Sequence, residues 1–105
     1  MTLIRAHGGV ITQINVFTTP VGGQQALIDQ LTKAVACARE EPGWLSANLH
    51  RSLDGTRVVN YAQSESLEAA QAVIERLKAG GFIDRNAALG HADPGLYEVV
   101  ATFGR

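Results

Sequence analysis

The chain has a single cysteine, Cys37, so no intrachain disulfide can staple it, and a cytoplasmic setting is expected. It has no charged run of either sign. Nine basic residues face ten acidic ones, for a formal net charge of −1. A nucleic-acid groove needs clustered Lys and Arg, so that partner class is excluded. No stretch approaches the roughly 18 apolar residues of a membrane-spanning helix, so no membrane role is expected. Met1 to Phe17 holds one Arg but is broken by His7, Gly8 and Gly9 and by the polar Gln13 and Asn15, and does not read as a signal peptide. The Gly pairs at 22–23 and 80–81 lack a following Gly-Lys-Ser/Thr, so neither is a phosphate loop. His91-Ala92-Asp93 has the spacing of one half of a two-His-one-carboxylate iron site. No His follows it, so no metal site is expected. Internal repeats and low-complexity segments are absent.

The chain does have enough apolar material for a core. Of its 105 residues, 46% are hydrophobic and 18% charged, which suits one domain spanning 1–105. Residues 10–18 are rich in β-branched side chains and read as a strand, broken by Pro20 and Gly22-Gly23. From about 24 to 39 the period changes. Leu27, Leu31, Ala34, Val35 and Ala38 share one helical face, and Glu41-Pro42-Gly43 ends the helix. Residues 44–52 and 56–64 form a hairpin around Asp54-Gly55, because Gly tolerates positive φ and Asp supports the turn. Ser66 can cap a second helix striped by Ala70, Val73, Ile74 and Leu77, with Gly80-Gly81 at its end. Residues 82–89 read as a short third helix and 97–103 as the last strand.

The order is β-α-β-β-α-(α)-β. It predicts an α+β, ferredoxin-like βαββαβ fold, with one four-stranded antiparallel sheet and its helices on one face. A sheet with one wet face should alternate cleanly. Val58 and Val59 are both apolar, and Tyr97, Val99, Ala101 and Phe103 share one parity while Leu96 and Val100 take the other. Both faces are therefore expected to be covered. Two main helices cover one, and a second copy of the sheet covers the other, which predicts an isologous homodimer. Trp44 and Tyr61 read as packing aromatics, Gln63 as an interface hydrogen-bonder and Cys37 as a small inert core residue.

Pro42-Gly43-Trp44-Leu45-Ser46-Ala47, His50, Asp54-Gly55-Thr56, Val58 to Gln63 and Glu65-Ser66 together resemble the antibiotic biosynthesis monooxygenase family. So does the Phe17 to Gly23 turn. The resemblance covers about residues 10–104, and within the family the chain looks most like the small cofactor-free oxygenases of aromatic polyketide pathways. It implies a dimeric α+β barrel. It also implies oxidation of an anthrone-like substrate to a quinone by O₂, with no metal, flavin or other cofactor. The protein must then favour loss of a proton, stabilise an oxyanion and exclude water.

Residue by residue, Asn60 matches the family's pocket Asn on the third strand. Arg85 falls where relatives place a pocket Arg, and these two are the implied catalytic pair. Asn15 matches a first-strand position that lines the pocket, and His50 can reach the pocket or the turn. Ser64 stands where the family commonly has Trp, and Ala70 where it can have Tyr, so both open space beside the substrate. That space suits a larger substrate, a different chemistry, or none. A cyclase or isomerase acting without O₂, and a non-catalytic binder of an aromatic metabolite, remain alternatives. Relatives that degrade haem use Asn, Trp and His in the pocket, and Ser64 departs from that set.

Overall fold

A computed structural model describes residues 1–105. It contains β1 (Ile11–Thr18), α1 (Gln24–Ala38), β2 (Trp44–Arg51), β3 (Arg57–Ser64), α2 (Leu67–Ala79), α3 (Phe82–Ala87) and β4 (His91–Glu98). The strands form one antiparallel sheet in the order β2-β3-β1-β4, the ferredoxin-like arrangement expected from the sequence.

Local chemistry sets most boundaries. The Ser66 hydroxyl accepts from Ala69 N at 3.1 Å and starts α2. At the hairpin tip Gly55 takes φ 82°, while Asp54 Oδ1 accepts from Thr56 N and from the Ser52 and Thr56 hydroxyls. Gly43 takes φ 89°, and a Cβ there would meet Ala69 Cβ at 2.6 Å. Only glycine lets the chain turn into β2 so close to α2.

Two elements depart from expectation. The last strand is residues 91–98, not 97–103, and pairs with β1 from Thr18↔His91 to Ile11↔Glu98. Pro94-Gly95, residue types common in turns, lies within the strand. Because β4 is an edge strand, Pro94 forfeits no obligatory ladder bond. Val99, Ala101 and Phe103 therefore follow the sheet instead of belonging to it. The third helix also stops earlier, at Ala87.

Side-chain alternation gives the sheet two faces. Asn15 and Phe17 on β1, Leu49 on β2, Val58 and Asn60 on β3 and Ala92 on β4 share the face that meets the helices. Phe17 and Val58 pack there with Leu27 and Leu31 of α1 to make the core, flanked by Leu49 and Ala92. The outer face carries Ile14, Val16, Val59 and Tyr61, all half-buried. The N-terminal segment crosses part of it. Thr2 Oγ1 donates to Ser46 Oγ at 3.0 Å and receives a bond from Asn48 Nδ2, while Gln63 Nε2 donates to Leu3 O at 3.0 Å. Gln63 thus serves the chain's own N-terminus, which the sequence did not foreshadow.

Candidate functional site

Two cavities lie between the sheet and the helices, and Gln13 lines both. The smaller has a volume of about 30 Å³. Its wall is mostly aliphatic, from Leu31, Ala34 and Val35 of α1 and Val73 of α2, with Trp44 at one end. Asn60 and Ser64 of β3 and Ala70 of α2 also line it. The three positions grouped from the sequence are thus brought together. Period two puts Asn60, Ala62 and Ser64 on one face, and the small Ala70 side chain faces them.

The larger cavity has a volume of about 380 Å³, within the range of about 300–1,000 Å³ common for small-molecule sites. Its floor is Gln13, Asn15 and Phe17 of β1 with Ala92, Pro94 and Leu96 of β4, and its walls include Ile74 of α2 and Ile83, Asn86 and Ala87 of α3. An apolar cavity of about 150 Å³ admits benzene, so a fused ring system fits the larger cavity and not the smaller.

Asn15 and Asn60 are direct register partners across β1 and β3. Opposed residues hold their Cβ atoms roughly 4.5–5.5 Å apart, so the two amides stand side by side where the cavities adjoin. Asn15 Oδ1 and Asn60 Oδ1 are both buried without a hydrogen-bond partner, and so is Asn86 Oδ1 on α3. Asn60 lines the smaller cavity, and Asn15 and Asn86 line the larger one. Most buried polar groups in proteins are satisfied, so these free amide oxygens mark places prepared for a hydrogen-bonding ligand group. No ionisable side chain lines either cavity. The site can therefore bind flat apolar rings and hydrogen-bond their oxygens, but its own walls hold no titrating acid or base.

Two expected residues lie elsewhere. Arg85 is exposed. Its Nη2 donates to Gly80 O at 3.0 Å, and its guanidinium lies 4.4 Å from the Phe82 ring centroid. It fastens the corner between α2 and α3, where Gly81 takes φ 76°, and lines neither cavity. His50 pairs with Val59, so it belongs to the outer face, away from the helices, and is exposed. An odd offset from Asn60's cross-strand partner Leu49 is enough to turn it outward. Asp93 and His91 share that outer face on β4, and no group of three His, Cys, Asp or Glu side chains is placed to hold a metal ion.

Asn86 was not singled out from the sequence, because a six-residue helix is too short for its faces to be read by period. In the structure Ile83, Asn86 and Ala87 share the face that lines the larger cavity.

Residues 10–95 match the antibiotic biosynthesis monooxygenase family model. The chain is 31% identical over 105 residues to the tetracenomycin F1 monooxygenase of Streptomyces glaucescens, covering 99% of this chain and 94% of that protein. Its fold is similar to SnoaB, a cofactor-independent oxygenase from Streptomyces nogalater. That likeness has a TM-score of 0.81 at 18% identity and covers 92% of this chain and 99% of that one. It is also similar to a monooxygenase from the ActVA-Orf6 gene of Streptomyces coelicolor, solved with Nanaomycin D. There the TM-score is 0.76 at 27% identity, with 92% of each chain covered.

Proposed function

The chain belongs to the antibiotic biosynthesis monooxygenase family and is a monooxygenase, and on that premise we propose that it oxidises a polycyclic, anthrone-like aromatic to a quinone with O₂ and no metal or flavin. The observation that carries this reading is the pair of opposed, unsatisfied amides, Asn15 and Asn60, beside a cavity sized for fused rings. The relative named for tetracenomycin F1 and the solved complex with Nanaomycin D support an aromatic polyketide as substrate class.

The rings sit in the larger cavity with the reacting carbonyl at Asn15, on the side where its register partner Asn60 faces the smaller cavity. Loss of a proton from the ring methylene leaves an enolate, whose oxygen accepts from the Nδ2 N–H groups of the amides, while their free Oδ1 atoms accept from a donor such as a ring hydroxyl. Since no ionisable side chain lines the cavities, that proton leaves to solvent at the mouth. The enolate gives one electron to O₂, and the two radicals combine at the former methylene carbon. Protonation yields a hydroperoxide, which loses water. One oxygen atom becomes the new carbonyl and the other leaves as water, so CH₂ and O₂ become C=O and H₂O. The apolar walls keep bulk water from the enolate.

Arg85 is in this reading a positioning residue, holding α3 against the cavity through Gly80. Ser64 and Ala70 leave the 30 Å³ space next to Asn60, and they bind substrate only at its edge. Two copies pair through the outer sheet face, as half-buried Ile14, Val16, Val59 and Tyr61 favour.

The test is kinetic. Asn60→Leu keeps the branched shape but removes the amide, and kcat is expected to fall about 100-fold, as for loss of one oxyanion donor. Asn15→Leu should act in the same direction, whereas Arg85→Ala should raise KM more than it lowers kcat. Full activity in an Asn15→Leu, Asn60→Leu double variant would remove the amides from the mechanism.

A further inference from the structure

Asn86 is a polar group that the reaction above does not use. It is 8% exposed, its Oδ1 has no hydrogen-bond partner, and it lines the 380 Å³ cavity from the α3 side. Its backbone is already engaged, because its carbonyl accepts from Leu89 N at 3.0 Å and Gly90 N at 3.1 Å. The side chain is therefore not needed to close the helix end. Its neighbours on that wall, Ile83 and Ala87, are apolar. Leaving a buried amide oxygen unsatisfied costs stability, and an apolar side chain of the same shape would avoid that cost.

We propose that Asn86 is a second ligand anchor. It takes an oxygen substituent on an outer ring of the aromatic substrate, and so fixes which end of the ring system lies against Asn15 and Asn60. An amide offers both a donor and an acceptor, so it pairs with a phenolic hydroxyl or a ring carbonyl. Asn15 stands on the sheet floor of this cavity and Asn86 on its helical wall. A flat ligand held on the floor alone could slide or reverse in an apolar space of this size. Hydrogen bonds from two elements give it one register, and a single register places the reacting carbon. The inference rests on the aromatic-substrate reading and adds a specificity determinant on α3.

The test compares two stable probes by fluorescence titration, anthraquinone and an anthraquinone bearing hydroxyls on its outer rings. Asn86→Leu should weaken the hydroxylated probe about tenfold, the loss of one ligand hydrogen bond. It should leave plain anthraquinone unchanged and should not lower Tm. Asn86→Ser, which relieves any crowding by Leu but is too short to reach, should show the same selective loss. Equal loss for both probes, or a lowered Tm in both variants, would make Asn86 structural and overturn the proposal. If the wild-type protein binds both probes and both variants match it, Asn86 alone is overturned. If the wild-type protein binds neither, the aromatic-substrate reading falls as well.

Discussion

Single side chains divide here into those that organise turns and those left for a ligand. Asp54 is of the first kind. Hydrogen bonds from the Thr56 hydroxyl, the Ser52 hydroxyl and Thr56 N hold its carboxyl at about 2, below its ordinary 3.8, with Arg57 adding a smaller attraction. A depressed carboxylate stabilises the fold above its unfolded pKa, and the benefit disappears as pH falls through the folded value. The Tm difference between wild type and Asp54→Ala should therefore be constant above about pH 5 and close between about pH 4 and pH 2. A difference that persists at pH 2 would mean the aspartate acts through shape and not charge. Asn15, Asn60 and Asn86 have buried side-chain oxygens with no partner in the chain, and the proposed function assigns them to a ligand. The first two were legible because they interrupt β-branched runs and match a family pattern. Asn86 was not singled out, because a lone Asn in a six-residue helix looks like an ordinary surface residue until the cavity behind it is seen.

At the level of elements, periodicity located β1, both long helices and the hairpin to within a residue or two. Ser66 was readable as a cap because its position before an apolar stripe has one physical meaning. The last strand slipped by six residues at its start, because Pro94-Gly95 carries the same local signal in a turn as on an edge strand. Only the sheet order separates the two, and that is a tertiary fact. Arg85 was placed in the pocket by resemblance, and period could not check that placement. A helix of six residues shows less than two turns of pattern, so its outward and inward faces cannot be told apart by period alone. His50 failed through register, since a shift of one residue reverses the face of a strand side chain.

For the whole molecule, the proposed pairing of two copies rests on the outer sheet face. Val16 and Val59 are register partners there, half-buried beside Ile14 and Tyr61. If two copies pair on this face, Val16→Arg places like charges in the interface and should give a monomer by sedimentation velocity, while the wild-type protein sediments as a dimer. A monomeric wild-type protein at micromolar concentration would contradict the pairing and leave the N-terminal segment as the main cover of that face.

The proposed chemistry rests on the helix-side face, whose cavities carry amides but no ionisable side chain. The most direct measurement is oxygen uptake and quinone absorbance recorded together, with chelator-treated protein and a simple anthrone in air. The account predicts uptake well above the spontaneous rate, one O₂ consumed per quinone formed, and no change on adding metal or flavin. Quinone formation that needs an added metal or flavin, or anthrone bound without any accelerated uptake, would contradict it.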